Sequence, residues 1–516
     1  MRKFLGKTLS AVLLLSISCS IFAACGDNSS DNGNSAYNPD AEIQMKIVYE
    51  NKGYGRDWLQ ATMNAYVAKN PNVSIALEEK VDLALENDFE LGTKNETDIY
   101  IGNVTTGYYA YLGKDAIKGC DTAFVDLTEL YTTANPYDDG TTTISEKLES
   151  NGLLEYQGYH YDNTNKVKYY GIPYAGGASG FLYNSSIITD IATVNTTDKL
   201  IDYIYNGKGG TYSTVMWSKE GVEYMEYVMN TWIAQYEGKE GFDAIYNMKE
   251  SGEDFSYEAY VKEGVLEAYK VGQQIIQYEK SYGGDLQFMA ANSQFNHGAA
   301  AIMPCGNWFA AELTKTDDES VDIASSPIKF MKNPVISSIV DVLEDTSMTD
   351  DTLSAIVAEI DTGATSSSKC SQTDFDIIKD ARNTVYSAGA LQTAAIVSSS
   401  DQIETAKDFL LFMASKEGNQ IFRQQTNTNN AFTTDYTTGN IGFLNSFIEA
   451  EKNAIVIRAN EHNSKFIEEK GFSRYLAESS AALNLTVKDG TKYKYDAQTL
   501  YNLYNSKIKA RWDTNV

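Results

Sequence analysis

The chain has 516 residues, of which 43% are apolar, and its formal net charge is −28. One hydrophobic core stops growing at about 250–300 residues, so this length predicts two or more domains. Such an acidic surface repels polyanions, which excludes nucleic acids and anionic lipid headgroups as favoured partners.

The N-terminal segment has the pattern of an export signal. Arg2 and Lys3 precede a short apolar stretch, residues 9–24, which ends in small residues before Cys25. The stretch is shorter than the roughly 20 apolar residues that span a bilayer. It could still be an uncleaved membrane helix or an ordinary cleaved signal, but every alternative exports the chain.

The four residues 22–25, Phe-Ala-Ala-Cys, resemble the lipobox of bacterial lipoproteins, in which the cysteine is lipidated and becomes the new N-terminus. This resemblance implies a signal peptide over residues 1–24 and a lipid anchor at Cys25. Residues 25–42 are rich in Asn, Ser, Asp and Gly, as in a flexible tether. We therefore expect an extracytoplasmic protein anchored to the outer face of a bacterial cell membrane.

The remaining cysteines do not form a recognisable framework. Cys120, Cys305 and Cys370 are an odd number of widely spaced residues without a CxxC pair. This pattern indicates neither a disulfide scaffold nor a zinc site. We expect no cofactor.

The folded part begins with alternating strand and helix patterns. Residues 43–50 alternate like a strand, residues 51–56 form a Gly-rich turn, and Trp58, Met63 and Tyr66 recur at helical spacing before Pro71. Further strands are predicted at 73–77 and 98–101. This order favours an α/β fold with a largely parallel sheet.

The same pattern restarts later in the chain. Strands are predicted on both sides of a Gly-rich bend and again further on, at residues 169–173, 180–183 and 298–303. Helices are predicted at residues 198–205, 222–236 and 405–413. Residues 314–387 are rich in Asp, Ser and Thr and are interpreted as an insertion, and the tail from residue 440 is mostly helical. Two α/β lobes fit this order better than one large sheet.

Five segments, read in chain order, resemble the extracellular solute-binding proteins of carbohydrate ABC importers, the maltose-binding-like group. They are residues 50–58, 97–99, 171–184, 298–308 and 406–418. The resemblance implies two hinged lobes that close on a ligand in the cleft between them. It places lobe I at residues 43–175 and 388–430, and lobe II at residues 176–387 and 431–516.

The resemblance also implies that Trp308 stacks on a sugar ring. The neighbouring Asn307 either hydrogen-bonds the ligand or caps the following helix. Tyr54, with Asn51 and Lys52, lies in the turn after the first strand, where parallel sheets place their ligands.

Three further residues are candidates for the cleft. Asp98 either binds ligand or simply ends a strand. Tyr174 lies beside the Gly-rich bend at the expected hinge, and Trp217 precedes a helix in a loop-like position, whereas Trp232 fits a helix core. Gly177 stands where maltose-binding members carry an acidic residue, and Gly102-Asn103 where they carry a tryptophan, so the residues do not point to maltose itself.

The expected function is therefore capture of an oligosaccharide and its delivery to a membrane permease, by a monomer that makes and breaks no bonds. The ATPase would be a separate subunit. The acidic balance leaves open a binder of cationic small molecules such as polyamines. A surface glycan-degrading enzyme stays open as well, because a glycosidase needs only two carboxylates. The sequence contains no HExxH, Walker A or GxSxG motif, and we expect no enzymatic activity.

Overall fold

The computed structural model describes most of the chain beyond the signal region. The described residues are 36–83, 85, 96–104, 123–160, 167–206, 213–278, 286–313, 323–389, 392–435, 439, 441–459, 464–472 and 480–516. The predicted signal peptide, Cys25 and Cys120 lie outside them. Among the described residues, no helix has both the length and the apolarity to cross a membrane.

The described chain contains 15 strands, 16 α-helices and several short 3-10 helices. The strands are β1 (Ile43–Glu50), β2 (Val73–Lys80), β3 (Ile99–Gly102), β4 (Tyr159–His160), β5 (Val167–Lys168), β6 (Ile172–Pro173), β7 (Ser179–Asn184), β8 (Ser213–Val215), β9 (Ala300–Gly306), β10 (Ile328–Met331), β11 (Thr384–Tyr386), β12 (Thr393–Ile396), β13 (Ile455–Ile457), β14 (Lys488–Asp489) and β15 (Lys492–Tyr493).

The helices alternate with these strands in the first part of the chain and dominate its end. They are α1 (Asp57–Lys69), α2 (Thr128–Thr132), α3 (Ile144–Ser150), α4 (Thr197–Asn206), α5 (Tyr224–Asn247), α6 (Glu263–Ile276), α7 (Phe288–Asn296), α8 (Phe309–Leu313), α9 (Asp350–Asp361), α10 (Gln372–Asn383), α11 (Ile403–Met413), α12 (Lys416–Thr426), α13 (Gly442–Glu451), α14 (Lys465–Glu469), α15 (Ala481–Leu485) and α16 (Ala497–Asn515).

Two sheets divide the molecule, and we name its two lobes after them. Lobe I is built around a five-stranded sheet with the order β2-β1-β3-β12-β6. Lobe II is built around a six-stranded sheet with the order β13-β11-β7-β9-β8, in which β10 also pairs with β7. The prediction of a two-lobed α/β fold is confirmed.

The prediction of largely parallel sheets is confirmed by the strand directions, with one reversed strand in each sheet. In lobe I, β1 runs parallel to β2 and β3, but β12 is antiparallel to both β3 and β6. In lobe II, β7 is antiparallel to β9, β10 and β11. β12 is reversed because it enters lobe I from lobe II, and β7 is reversed because it enters lobe II from lobe I.

Three segments connect the lobes. The first crossover, residues 174–178, leads from β6 in lobe I to β7 in lobe II. The second, residues 387–392, returns from β11 to β12, and the third, residues 427–441, leads from α12, which packs on α1, to α13, which packs on β10. Described residues of the three segments lie close together: a Cβ atom at Gly176 would lie 3.1 Å from Cα of Ala431, and one at Gly389 would lie 3.0 Å from the carbonyl oxygen of Gly176. We call this junction the hinge.

Helix α1 shows why the sequence folds this way around the first strand. Its residues Trp58, Leu59, Met63 and Tyr66 are all buried, which is the helical spacing expected from the sequence. The ring of Trp58 stacks on Tyr174 of the first crossover at a centroid distance of 4.9 Å. Helix α1 thus positions the Gly-rich turn that precedes it against the hinge.

Most predicted elements are observed with shifted ends. Residues 43–50 form β1 as predicted, whereas helix α5 extends to Asn247 instead of ending near residue 236, with a break at Gly238. The segment 314–387, interpreted as an insertion, contributes β10 and β11 to the lobe II sheet and helices α9 and α10 between them. The boundaries of the two lobes stay a prediction.

Candidate functional site

The carboxyl ends of several strands meet beside the crossovers. Glu50 ends β1 and Gly102 ends β3 in lobe I, while Gly306 ends β9 and Tyr386 ends β11 in lobe II. Ser179, the first residue of β7, pairs with both Gly306 and Tyr386, so the lobe II ends lie next to the first crossover. Both groups of strand ends therefore face the hinge. In open α/β sheets, ligands bind at the carboxyl ends of the strands.

An aromatic wall covers the lobe II side of this region. It consists of Trp308, Tyr224, Tyr227 and Tyr386. The ring of Trp308 meets Tyr224 edge-on at 5.6 Å and Tyr227 at 6.0 Å, and Tyr227 stacks on Tyr386 at 5.3 Å. Tyr224 and Tyr227 are half-buried, whereas Trp308 retains 7% exposure. Tyr224 and Tyr227 therefore present the partly exposed aromatic surface of the wall, and the buried rings of Trp308 and Tyr386 pack against them.

Gly306 lets Trp308 fold back against the end of its own strand. A Cβ atom at residue 306 would lie 2.3 Å from Cζ3 of the Trp308 ring, closer than non-bonded atoms approach. Any larger residue would displace the ring. The position of Trp308 in the wall thus depends on this glycine.

Tyr54, expected to face a ligand, and Asn307, expected either to bind the ligand or to cap the following helix, are hydrogen-bonded to each other. The Tyr54 hydroxyl donates to Oδ1 of Asn307 at 2.8 Å, and Nδ2 of Asn307 donates to the carbonyl oxygen of Gly176 at 2.7 Å. Both side chains are buried, and burial raises the pKa of Tyr54 well above its ordinary value. Together they tie the two lobes to the first crossover.

Asn51 and Lys52 form a polar rim on the lobe I side, with Glu50. Nδ2 of Asn51 donates to Glu79 at 2.7 Å, and Nζ of Lys52 lies 2.7 Å from Asp82 and 2.9 Å from Glu50. Burial lowers the pKa of Lys52, but its hydrogen bonds to Asp82 and Glu50 outweigh burial and raise it. The rim places donors and acceptors next to one another, with one lysine between two carboxylates.

Asp98 lies away from this region, at the amino end of β3. Its Oδ2 accepts a hydrogen bond from the backbone N–H of Lys46 at 2.7 Å, and its Oδ1 accepts one from Ser400. Both carboxylate oxygens therefore hold neighbouring segments of lobe I together. The structure does not bring Asp98 to the other candidate residues.

Tyr174 and Trp217 are both buried. The hydroxyl of Tyr174 donates to Oε1 of Gln392, which joins the first crossover to the second. Trp217 follows β8 and packs into the lobe II core with 7% exposure, and its Nε1 has no hydrogen-bond partner among the described residues.

Sequence reasoning missed four residues near the hinge: Tyr224, Tyr227, Arg458 and Glu451. Tyr224 and Tyr227 stand three residues apart at the start of a helix, so their common face was visible as a pattern. Arg458, buried behind Tyr386, donates from Nη1 to the carbonyl oxygens of Ser387 and Ala388 at 2.7 and 2.8 Å. These hydrogen bonds join residues about 70 positions apart in the sequence, so no local sequence pattern indicates them.

The described residues hold no group of three or more His, Cys, Asp or Glu side chains suited to a metal ion.

No protein-family model matches the sequence. No curated protein matches it either. Solved structures do, at low sequence identity. The solute-binding protein RafE in complex with raffinose is 12% identical with a TM-score of 0.54, and the match covers 91% of this chain and 99% of that one.

Two further structures from Streptomyces match along nearly their whole length. The GacH receptor of Streptomyces glaucescens, solved unliganded and with acarbose, is 11% identical with a TM-score of 0.57, covering 92% of this chain and 100% of that one. A probable secreted solute-binding lipoprotein from Streptomyces coelicolor is 13% identical with a TM-score of 0.54, covering 92% and 100%. This chain therefore has the two-lobed fold of the extracellular solute-binding proteins.

Proposed function

We propose that this protein is the extracytoplasmic binding component of an ABC importer and that its ligand is an oligosaccharide. The observation that carries the proposal is the aromatic wall of Trp308, Tyr224, Tyr227 and Tyr386 beside the hinge. The C–H faces of sugar rings pack on aromatic rings, and a few placed polar groups fix their orientation.

The polar rim of lobe I supplies hydrogen-bonding groups for a sugar. Lys52 is already paired with Glu50 and Asp82, and Glu50 also accepts a hydrogen bond from the backbone of Asn103 at 2.9 Å. These side chains offer donors and acceptors to sugar hydroxyls, with one lysine between two carboxylates.

Transport requires only binding and release. A ligand that touches both lobes favours the closed arrangement, since it binds that arrangement better, and hinge closure is a known mode for such proteins. The closed complex would deliver the oligosaccharide to membrane permease subunits, while a separate ATPase drives import. The fold shared with proteins solved with raffinose and with acarbose supports this mechanism.

Calorimetric titration tests the ligand class. The full chain is titrated with raffinose, chitin oligosaccharides and acarbose, and in parallel with putrescine and spermidine, and every mixture is then analysed for products. Saturable heat with at least one sugar and no product is expected. Heat with the polyamines alone, or sugar cleavage, would replace the proposal with the corresponding alternative.

The membrane anchor is a separate part of the proposal. Cys25 follows an export signal and would carry the lipid. In a bacterial host, the unaltered protein should sediment with membranes and incorporate labelled palmitate. Cys25→Ser should abolish the label, and a labelled Cys25→Ser protein would refute the assignment.

A further inference from the structure

Glu451, the last residue of α13, lies where two of the crossovers meet. Its Oε1 accepts a hydrogen bond from the backbone N–H of Ala178 at 2.9 Å, and its Oε2 accepts one from Nδ2 of Asn429 at 3.2 Å. Ala178 belongs to the first crossover and Asn429 to the third. One carboxyl group therefore holds two of the three connections between the lobes.

The space around this carboxyl group is tight on one side and open on the other. A Cβ atom at Gly177 would lie 2.8 Å from Oε1 of Glu451. Beside it, a cavity of about 310 Å³ is lined by residues of the first and third crossovers and by Ser387 of the second. A change in the hinge would thus alter directly how much water reaches Glu451.

Few charged groups face Glu451. Among the described residues, no ion pair within 4.0 Å includes Glu451. The exposed Lys452 lines the same cavity. The Tyr54 hydroxyl is close enough for the negative charge of Glu451 to raise the pKa of Tyr54. The remaining cavity residues come from the end of α3 and the loop after it, from the loop after α13, and from β11, β13 and the crossovers, and they do not titrate. The charge of Glu451 is therefore not offset by a cation in contact.

Burial accordingly dominates its titration. Although part of the residue reaches solvent, the carboxyl group is surrounded by protein atoms, and this raises its pKa from 4.5 to about 7. The hydrogen bonds from Ala178 and Asn429 favour the charged form and only partly oppose burial. A hinge arrangement that admits water to the group would return its pKa toward 4.5.

Asn429 can serve both protonation states of its partner. Its Oδ1 is buried and has no hydrogen-bond partner among the described residues, while its Nδ2 donates to Glu451. The two ends of an amide have nearly the same shape. Rotating the amide by half a turn would let Oδ1 accept a hydrogen bond from a protonated Glu451.

We propose that Glu451 is a proton-linked positioning residue of the hinge. Its protonated form keeps the crossovers in the arrangement seen here, and its charged form lets them separate more readily. The direction follows from linkage, because protons bind more tightly to the arrangement that buries the carboxyl group. The inference rests on the lobe movement of the proposed function, but not on which ligand is bound.

Hydrogen exchange of the Ala178 amide in the unliganded full chain tests this inference. After correction for the intrinsic exchange rate, opening of the hinge should increase with pH by at most about tenfold per unit between about pH 5 and 7, and level off above. Glu451→Gln should remove this dependence, because a neutral amide does not titrate.

Glu449→Gln is the matched control, since Glu449 is exposed on the same helix and should leave the profile unchanged. An Ala178 profile that is flat with pH in the unaltered protein, or identical in Glu451→Gln, overturns the proposal. If Glu451→Gln does not fold, ¹³C titration of glutamate carboxyl groups in the unaltered protein decides. The proposal would also be overturned if no glutamate carboxyl group titrated with a midpoint within one pH unit of the midpoint of the Ala178 exchange profile.

No sugar enters these measurements. A failure of the oligosaccharide proposal would appear only in the calorimetric titration, and a failure of the Glu451 proposal only in the exchange profile.

Discussion

The hydroxyl group of Tyr54 donates a hydrogen bond to Oδ1 of Asn307 at 2.8 Å and so joins the turn after β1 in lobe I to the end of β9 in lobe II. Asn307 in turn donates to the carbonyl oxygen of Gly176. The two side chains that the sequence offered as ligand contacts therefore act on each other and on the first crossover. They stabilise the junction behind the aromatic wall.

Removing the Tyr54 hydroxyl should destabilise this junction. Tyr54→Phe keeps the ring contacts with Tyr174 and Trp308 but leaves Oδ1 of Asn307 buried without its donor. We expect a loss of about 1–3 kcal/mol in the free energy of unfolding, measured by urea denaturation. Tyr37→Phe, at a side chain that is 50% exposed, is the control and should change it by less than about 0.5 kcal/mol. Equal effects of the two substitutions would contradict the role given to the Tyr54–Asn307 bond.

A methyl group at Gly177 should also disturb the hinge. Gly177 has φ +90°, and a Cβ there would lie 2.3 Å from Nδ2 of Asn307. Gly140 has a similar φ of +72°, but a Cβ at that position would meet no atom within 4 Å among the described residues. Gly140→Ala should therefore show only the backbone strain of about 1–2 kcal/mol.

Gly177→Ala adds a steric clash to that strain, so its loss of unfolding free energy in urea should exceed that of Gly140→Ala by about 1–3 kcal/mol. If the two alanine variants unfolded at the same urea concentration, the close packing of the first crossover against Asn307 would not matter for stability.

The pH dependence of stability should reveal a second buried carboxyl group, Glu226. Burial raises its pKa from 4.5 to about 7, although it accepts hydrogen bonds from the backbone N–H of Ala482 and the hydroxyl of Ser480. Between these values the folded protein holds a proton that the unfolded chain has released. Stability should therefore fall as the pH rises from about 4.5 to about 7, by at most about 1.4 kcal/mol per pH unit for each such group.

In Glu226→Gln, the fall of the unfolding free energy with pH should be smaller by up to about 1.4 kcal/mol per pH unit, measured by urea denaturation between pH 5 and 7. Its matched control is Glu449→Gln, at an exposed position, which should keep the slope of the unaltered protein. A Glu226→Gln variant with the full slope would show that Glu226 is charged in the folded protein at pH 5.

Local patterns were enough to predict β1 and α1. Alternation in residues 43–50 and helical spacing from Trp58 to Tyr66 are properties of adjacent residues, and both are observed. The direction of β12 was not predictable in this way, because it depends on the chain's return from the other lobe. Mixed sheets of this kind follow from topology, which no window of neighbouring residues records.

The candidate site shows the same division. Trp308 was recognised from the resemblance and Tyr54 from its place after the first strand, and in the structure their ring centroids lie 6.3 Å apart. The hydrogen bond between Tyr54 and Asn307 joins residues 253 positions apart in the sequence, and the one between Ser400 and Asp98 joins residues 302 positions apart. A sequence pattern suggests which side chains are polar or aromatic, but not which of them are already satisfied by distant partners.

Trp308 is the residue on which the oligosaccharide proposal depends most. With a sugar identified by the calorimetric panel, Trp308→Ala should weaken binding by about tenfold or more, because pocket aromatics supply much of the contact with an apolar ligand face. Its ring is also packed against Tyr54, Tyr224 and Tyr227, so the same variant should lose about 3–5 kcal/mol of stability.

Trp232→Ala separates these two effects. Trp232 is fully buried in the lobe II core, where its Nε1 donates to the carbonyl oxygen of Pro334 at 3.1 Å, so its loss should cost a comparable amount of stability. Because Trp232 lies outside the aromatic wall, the folded variant should keep its sugar affinity. Weakened binding in Trp308→Ala alone would place the sugar on the wall. Equal weakening in both variants would mean that affinity follows stability, and normal binding in Trp308→Ala would remove Trp308 from the site.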